Sequence, residues 1–185
     1  GGVGIIENLE KVIDFKIKNN ESLILVVGKT IGHLDQSSFL RENYSIQDGP
    51  PPEINLVNEK NNGLAVLHLI KDNLVLSSHD ISSGGLIVSL AEMSISSGFG
   101  LKIFKPKKLI NYYEYLFGED QGRYLIEISK DNFNKVQNFL KKNSIFFEIV
   151  ANVQNDTFQM EEIFKLSVKD LIKINNEWYN KFNAL

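Results

Sequence analysis

Cysteine is absent from the 185 residues, which excludes disulfides, thiolate metal sites and cysteine nucleophiles. The absence suits a reducing compartment, and the cytoplasm is the expected location. A basic surplus is missing too. Lys and Arg number 20 against 23 Asp and Glu, for a net charge of −3 at pH 7, so no general grip on a phosphate backbone is available and nucleic acid is not an expected partner. No apolar run approaches the roughly 18 to 20 residues that span a bilayer, and no basic stretch at the N-terminus leads into an apolar one, so no membrane partner is expected. The triplets Asn43-Tyr44-Ser45 and Asn155-Asp156-Thr157 match the glycosylation pattern, but such triplets arise by chance in an asparagine-rich chain and carry no meaning without secretion. An initiator methionine is also lacking: the chain opens Gly1-Gly2-Val3-Gly4-Ile5-Ile6, and a fragment or processed product is the expectation.

What is present suffices for a substantial core, with 43% hydrophobic and 10% aromatic residues in a length typical of one large domain. Val12-Ile13-Asp14-Phe15-Lys16-Ile17 alternates as a strand does, and residues 23–27 form a short apolar run ending at Gly28, as in a buried strand. Asp48-Gly49-Pro50-Pro51-Pro52 cannot continue a helix or a central strand, because proline fixes φ and removes a donor, so it reads as a rigid connector. Residues 58–71 predict a helix seated on Leu64, Leu67, Leu69 and Ile70, followed by a strand at Leu74-Val75-Leu76 and a loop over 77–85. Leu86, Leu90 and Met93 then recur at helical spacing until Gly98, which suits a helix C-terminus.

The second half predicts a β-α-β unit: a strand over 124–128, a helix with Phe133, Val136, Phe139 and Leu140 on one face, and a strand over 145–150. Two short strands follow at 157–160 and 163–166. Ser167 with Asp170 three residues on resembles a capping box, opening a helix whose inner face would be Leu171, Ile174, Trp178 and Phe182. Strands alternating with helices through loops of mixed length predict an α+β fold, a mixed α/β sheet covered by helices.

Three segments could carry chemistry. Gly28-Lys29-Thr30 follows a strand, but the glycine that a phosphate loop needs five residues earlier is Leu23, inside that strand, so Gly28 and Gly32 are read as turn-formers. His79-Asp80-Ile81-Ser82-Ser83-Gly84-Gly85-Leu86 lies between a strand and a helix, where ligand-facing loops concentrate. Its glycines permit close backbone approach, its hydroxyls can donate and accept, and free amides at the helix start can bind an anion. In the competing reading Asp80 or Ser82 caps the helix and His79 is an interior histidine. Phe117-Gly118-Glu119-Asp120-Gln121-Gly122-Arg123 sets two acids, an amide and an arginine in one glycine-flanked turn, able to bind a polar ligand or simply to pair Arg123 with Glu119 or Asp120. His33, His68 and His79 lack metal-ligand spacing, and no nucleophile elbow supports a serine triad.

Taken in order and spacing, blocks 1–8, 28–40, 49–62, 78–98 and 116–123 resemble the phosphoribosylformylglycinamidine synthases. The resemblance is carried by Gly32-His33-Leu34 with Ser37, by Pro50-Pro51-Pro52 with Glu59-Lys60-Asn61, and by His79-Asp80 with Ser82, Gly84, Gly85 and Ala91-Glu92-Met93. Looser forms of the histidine-aspartate loop occur in aminoimidazole ribonucleotide synthetase, selenophosphate synthetase, thiamine-monophosphate kinase and a hydrogenase-maturation protein. The histidine and proline blocks favour the purine ligase.

The resemblance implies an aminoimidazole ribonucleotide synthetase C-terminal-domain-like fold over residues 11–185, with residues 1–10 the tail of a preceding ATP-handling domain. It implies the second C-terminal lobe of an ATP-dependent ligase that converts formylglycinamide ribonucleotide and glutamine-derived ammonia to the amidine. Implied partners are the preceding domains of the same polypeptide, a glutaminase subunit and a small bridging subunit. ATP and magnesium would be held mainly by the N-terminal domains, so neither is expected to bind tightly to this chain, and no residue here is expected to be catalytic. The implied substrate-binding residues are Glu119, Asp120 and Gln121, with His79, Asp80, Ser82, Gly84 and Gly85 of the earlier loop. Ser83 departs from the family pattern, which commonly has aspartate there. The alternatives are a structural, domain-packing module of that enzyme, or a lobe of a related kinase or synthetase.

Overall fold

The structure, a computed structural model, describes residues 4–6, 8–107 and 110–183. Among these, seven strands form one mixed sheet: β1 (Leu23–Val27), β2 (Ser77–Asp80), β3 (Gly100–Ile103), β4 (Tyr124–Ile128), β5 (Phe147–Gln154), β6 (Thr157–Met160) and β7 (Phe164–Ser167), in the order β2-β4-β1-β5-β3-β6-β7. The helices are α1 (Ser38–Tyr44), α2 (Leu56–Lys71), α3 (Gly85–Ser97), α4 (Tyr112–Phe117), α5 (Phe133–Lys142) and α6 (Val168–Asn183). None of them is long and apolar enough to cross a membrane.

Strand β1 pairs antiparallel with both β4 and β5. Those two therefore run parallel to each other, and the expected β-α-β unit is present but split by β1. The unit β1-α2-β2 is split in the same way by β4, which is antiparallel to β2. Being central, β1 is buried on both faces, which is why it reads as an unbroken apolar run. Leu25 and Val27 meet Ala65, Val66 and Leu69 of α2 and Val136 and Leu140 of α5. Ile24 and Val26 face the other way, onto a larger core built with Leu86, Leu90 and Met93 of α3 and with Tyr115 and Leu116 of α4. Helix α3 ends as expected at Gly98, left-handed at φ 80°, whose amide donates to Ser94 O at 2.8 Å.

Several expected elements are displaced. Residues 12–17 form no strand; only Ile17 among them is buried, and the segment straps the outer edge of β2, where Ser78 N donates to Asp14 O at 3.0 Å. The strand expected at 74–76 instead begins at Ser77, so the loop shrinks to residues 81–84. Its polar start is explained by Glu127, a fully buried carboxylate that accepts from Ser77 Oγ at 2.9 Å, Ser22 Oγ at 2.7 Å, and the amides of Lys18 and Asn19. On α2 the seated residues are Asn62, Ala65, Val66 and Leu69, whereas Leu64 and Leu67 are exposed. Strand β5 starts two residues later than expected and runs on to Gln154. At α6 the capping contact forms, with Ser167 Oγ accepting from Asp170 N at 3.0 Å, but of the expected inner face Ile174, Trp178 and Phe182 are exposed.

Candidate functional site

Strands β1 and β2 are parallel, so their C-terminal ends open on the same end of the sheet, beside the N-terminal start of β4. Three loops meet there, 28–33, 81–84 and 118–123, and Arg123 locks two of them together. Arg123 is 1% exposed. It donates to Gly118 O at 2.6 Å, to Asp120 O at 3.1 Å and across the gap to Thr30 Oγ1 at 3.2 Å, and its Nη1 lies 3.7 Å from Asp120 Oδ2. Burial lowers the Arg123 pKa, opposed by the carboxylates of Asp120 and then Glu119; a guanidinium nonetheless stays charged in proteins.

Asp120 completes the lock from the other direction. Its carboxylate accepts three successive amides, Ile31 N at 2.8 Å, Gly32 N at 2.9 Å and His33 N at 3.0 Å. This is the concave nest of backbone N–H groups that elsewhere holds an anionic ligand, here filled by the chain's own side chain. The turn depends on Gly32, at φ 93°, where a Cβ would lie 2.7 Å from that of Glu114.

Glu119 ties in the third loop. Its Oε1 accepts from Ser38 N at 2.8 Å and Gly84 N at 2.7 Å, joining the first turn of α1 to the residue preceding α3. The cap expected from Asp80 or Ser82 does not form: Gly84 occupies the cap position without a side-chain bond of its own, and Gly85 N turns back to Ser82 O at 3.1 Å. Gly85, at φ 69°, packs so closely on the other loop that a Cβ would sit 2.7 Å from Gly118 O.

The expected site residues thus divide. Glu119, Asp120, Gly84 and Gly85 are brought together by these bonds, and Glu119 also lines the cleft beside them and Asp120 the one adjoining it. Asp80, Ser82 and Gln121 are exposed and line a cleft of about 290 Å³ with Glu59, Ser83 and Tyr124. Glu59 and Gln121 also border an adjoining cleft of about 290 Å³ bounded by Lys29, His33, Asn58 and Asn62. Burial, then Glu59 and Asp80, raise the Tyr124 pKa, so its hydroxyl keeps its proton and remains a donor. His79 turns toward α3, its Nε2 3.0 Å from Glu92 Oε2 and its ring against Phe15 at 4.9 Å, while its Nδ1 lies 3.5 Å from Oδ1 of the cleft residue Asp80. Sequence reasoning missed Glu59, Tyr124 and Asn62, whose Nδ2 donates to Gly122 O at 2.9 Å. The available signal was a polar residue on the seated face of α2.

The described residues contain no set of three or more His, Asp or Glu able to hold a metal. The amides of 31–33 and of Gly84 already donate to Asp120 and Glu119.

The sheet order, the split β-α-β units and the glycine-built loops define a known class. Residues 20–161 match the family described as AIR synthase related protein, C-terminal domain, and the chain belongs to that family. It is 44% identical over 182 residues to the phosphoribosylformylglycinamidine synthase subunit PurL of Pelagibacter ubique, covering 98% of this chain and 25% of that protein. The chain therefore spans about a quarter of the length of such curated relatives. Among solved structures it is similar to Thermotoga maritima PurL complexed with FGAR, with a TM-score of 0.75 and 18% identity over 89% of this chain and 30% of that one. It is also similar to a chain of PurLQS from Thermotoga maritima, with a TM-score of 0.67 and 18% identity over 89% and 28%. At such identities the structural likeness establishes the fold, which is the one the ordered blocks implied.

Proposed function

We propose that this chain is the C-terminal lobe of a phosphoribosylformylglycinamidine synthase, walling a substrate cleft without supplying reacting groups. In this reading residues 1–10 end a preceding ATP-handling domain and residues 11–185 form the lobe. The observation that carries it is the division of labour at the sheet end. The charged groups of Glu119, Asp120 and Arg123 are bonded to backbone, and beside Glu119 and Arg123 the exposed Asp80, Ser82 and Gln121 line the cleft with Glu59. Side chains of that kind bind and orient hydroxyl and amide groups.

The whole polypeptide would convert formylglycinamide ribonucleotide and glutamine-derived ammonia to the amidine in an ATP-dependent reaction, in the cytoplasm. ATP and magnesium would be held mainly by the preceding domains, in keeping with loops whose amides are already engaged. Its partners would be those preceding domains, a glutaminase subunit and a small bridging subunit. The likeness to a PurLQS chain supports an assembly of that kind.

The test uses purified protein with formylglycinamide ribonucleotide, ATP and ammonia. The full-length polypeptide carrying this chain should form the amidine and the 185-residue chain alone should not. Turnover by the chain alone, or none by the full-length protein, would contradict the proposal. A second reading, a lobe that only packs against other domains, is favoured by the same internal bonding of Glu119 and Asp120. The two separate at Gln121, whose side chain the framework does not use.

A further inference from the structure

Helix α6 has 16 residues and so runs about 24 Å at 1.5 Å per residue. Its first turns pack on the core through Val168, Leu171 and Ile172. At 100° per residue the same stripe continues through Trp178, Tyr179 and Phe182, with Ile174 at its border. There the core has run out. Trp178, Tyr179, Phe182 and Ile174 are 64, 60, 62 and 66% exposed, and the Trp178 and Phe182 rings stack on each other at 5.6 Å and 14°. The helix carries an apolar face longer than the body beneath it.

We propose that this overhanging face docks on an apolar surface of another domain of the same polypeptide. The proposal rests on reading the chain as one lobe of a longer synthase. Side chains of this size expose about 500 Å² at such fractions, at the upper end of the apolar patches that soluble monomers carry. A free-standing complex buries about 800 Å² per partner, so the patch is small for a stable dimer of this chain. A tethered neighbour, held at roughly millimolar effective concentration, does not need that area. The curated relatives supply the candidate neighbour: alignments covering 98% of this chain leave about three quarters of each relative outside.

Hydrogen exchange read by mass spectrometry tests this, comparing the 185-residue chain with the full-length polypeptide that carries it. Amides over residues 175–183 should exchange at least about tenfold more slowly in the full-length protein, while those of β1 remain protected in both and report an intact fold. Trp178→Ala in the full-length protein should remove the added protection on α6 and leave β1 unchanged. Equal exchange of α6 in both proteins overturns the proposal. So does a dimer of the chain alone, seen by analytical ultracentrifugation and abolished by Trp178→Ala, since the occupant is then a second copy. The readout is independent of ligase activity, so a failure of the catalytic reading is seen separately.

Discussion

Replacing Arg123 with methionine keeps most of the side-chain volume and removes the guanidinium that joins loops 28–33 and 118–123. Bonds to Gly118 O, Asp120 O and Thr30 Oγ1 are lost together, and Asp120 is left as a buried carboxylate without its cation. Both partners are almost fully buried, so solvent screening does not dilute the effect. Breaking a buried pair by removing one member costs about 3–5 kcal/mol. The three amides on Asp120 hold the expected loss to the lower half of that range. In a domain of this size about 3 kcal/mol lowers Tm by roughly 6–12 °C. Urea unfolding of Arg123→Met beside the parent chain measures the loss directly. Arg123→Lys should fall almost as far, because an ammonium cannot reproduce the planar fork. A loss under about 1 kcal/mol for Arg123→Met would refute the lock, since it would put the buried network in the range of an exposed ion pair.

Further outcomes follow from other packed groups. Glu127→Ala leaves the donors of Lys18, Asn19, Ser22 and Ser77 without their shared acceptor; it should cost about 3 kcal/mol and speed hydrogen exchange over residues 14–22 before the rest of the sheet. Gly85→Ala forces a Cβ against Gly118 O at a left-handed φ of 69°, and a loss of about 2–4 kcal/mol is expected by thermal melting. The Asp14 pKa is lowered, chiefly by its hydrogen bond to Lys18. A carboxyl depressed on folding stabilises above its unfolded pKa and loses that contribution as pH falls through the folded one. The pair is exposed and worth about 0.2–1 kcal/mol, so Asp14→Asn should reduce stability slightly near neutral pH and progressively less as pH falls through the lowered folded pKa, a trend that urea melts over the acid range resolve.

Much of this architecture could be read from residue order. β1 is an apolar run, β4 a largely apolar one interrupted by Glu127, α3 repeats Leu86, Leu90 and Met93 and stops at Gly98, and Ser167 with Asp170 marks the start of α6. β2 was hidden because its side chains are Ser77, Ser78, His79 and Asp80, and its buried serine is satisfied by Glu127, whose distance along the chain no local pattern reveals. The offset of α2 has a similar origin, since Asn62 and Ala65 rather than the larger Leu64 and Leu67 face the sheet. At the site, the glycine-flanked turn at 118–123 was legible and the other loop only in its 81–84 part, but the bonds of Glu119 and Asp120 run to amides 35 to 89 residues away. Residue type marked them as polar candidates, but not the backbone partners that hold them.

The central claim, that the lobe presents its exposed polar residues to substrate, meets its most direct test at Gln121. In the full-length protein, Gln121→Ala should leave the unfolding midpoint unchanged and raise KM for formylglycinamide ribonucleotide about tenfold, the equivalent of one lost hydrogen bond of about 1.4 kcal/mol. An unchanged KM with the fold intact would contradict the account and leave domain packing as the role of this lobe.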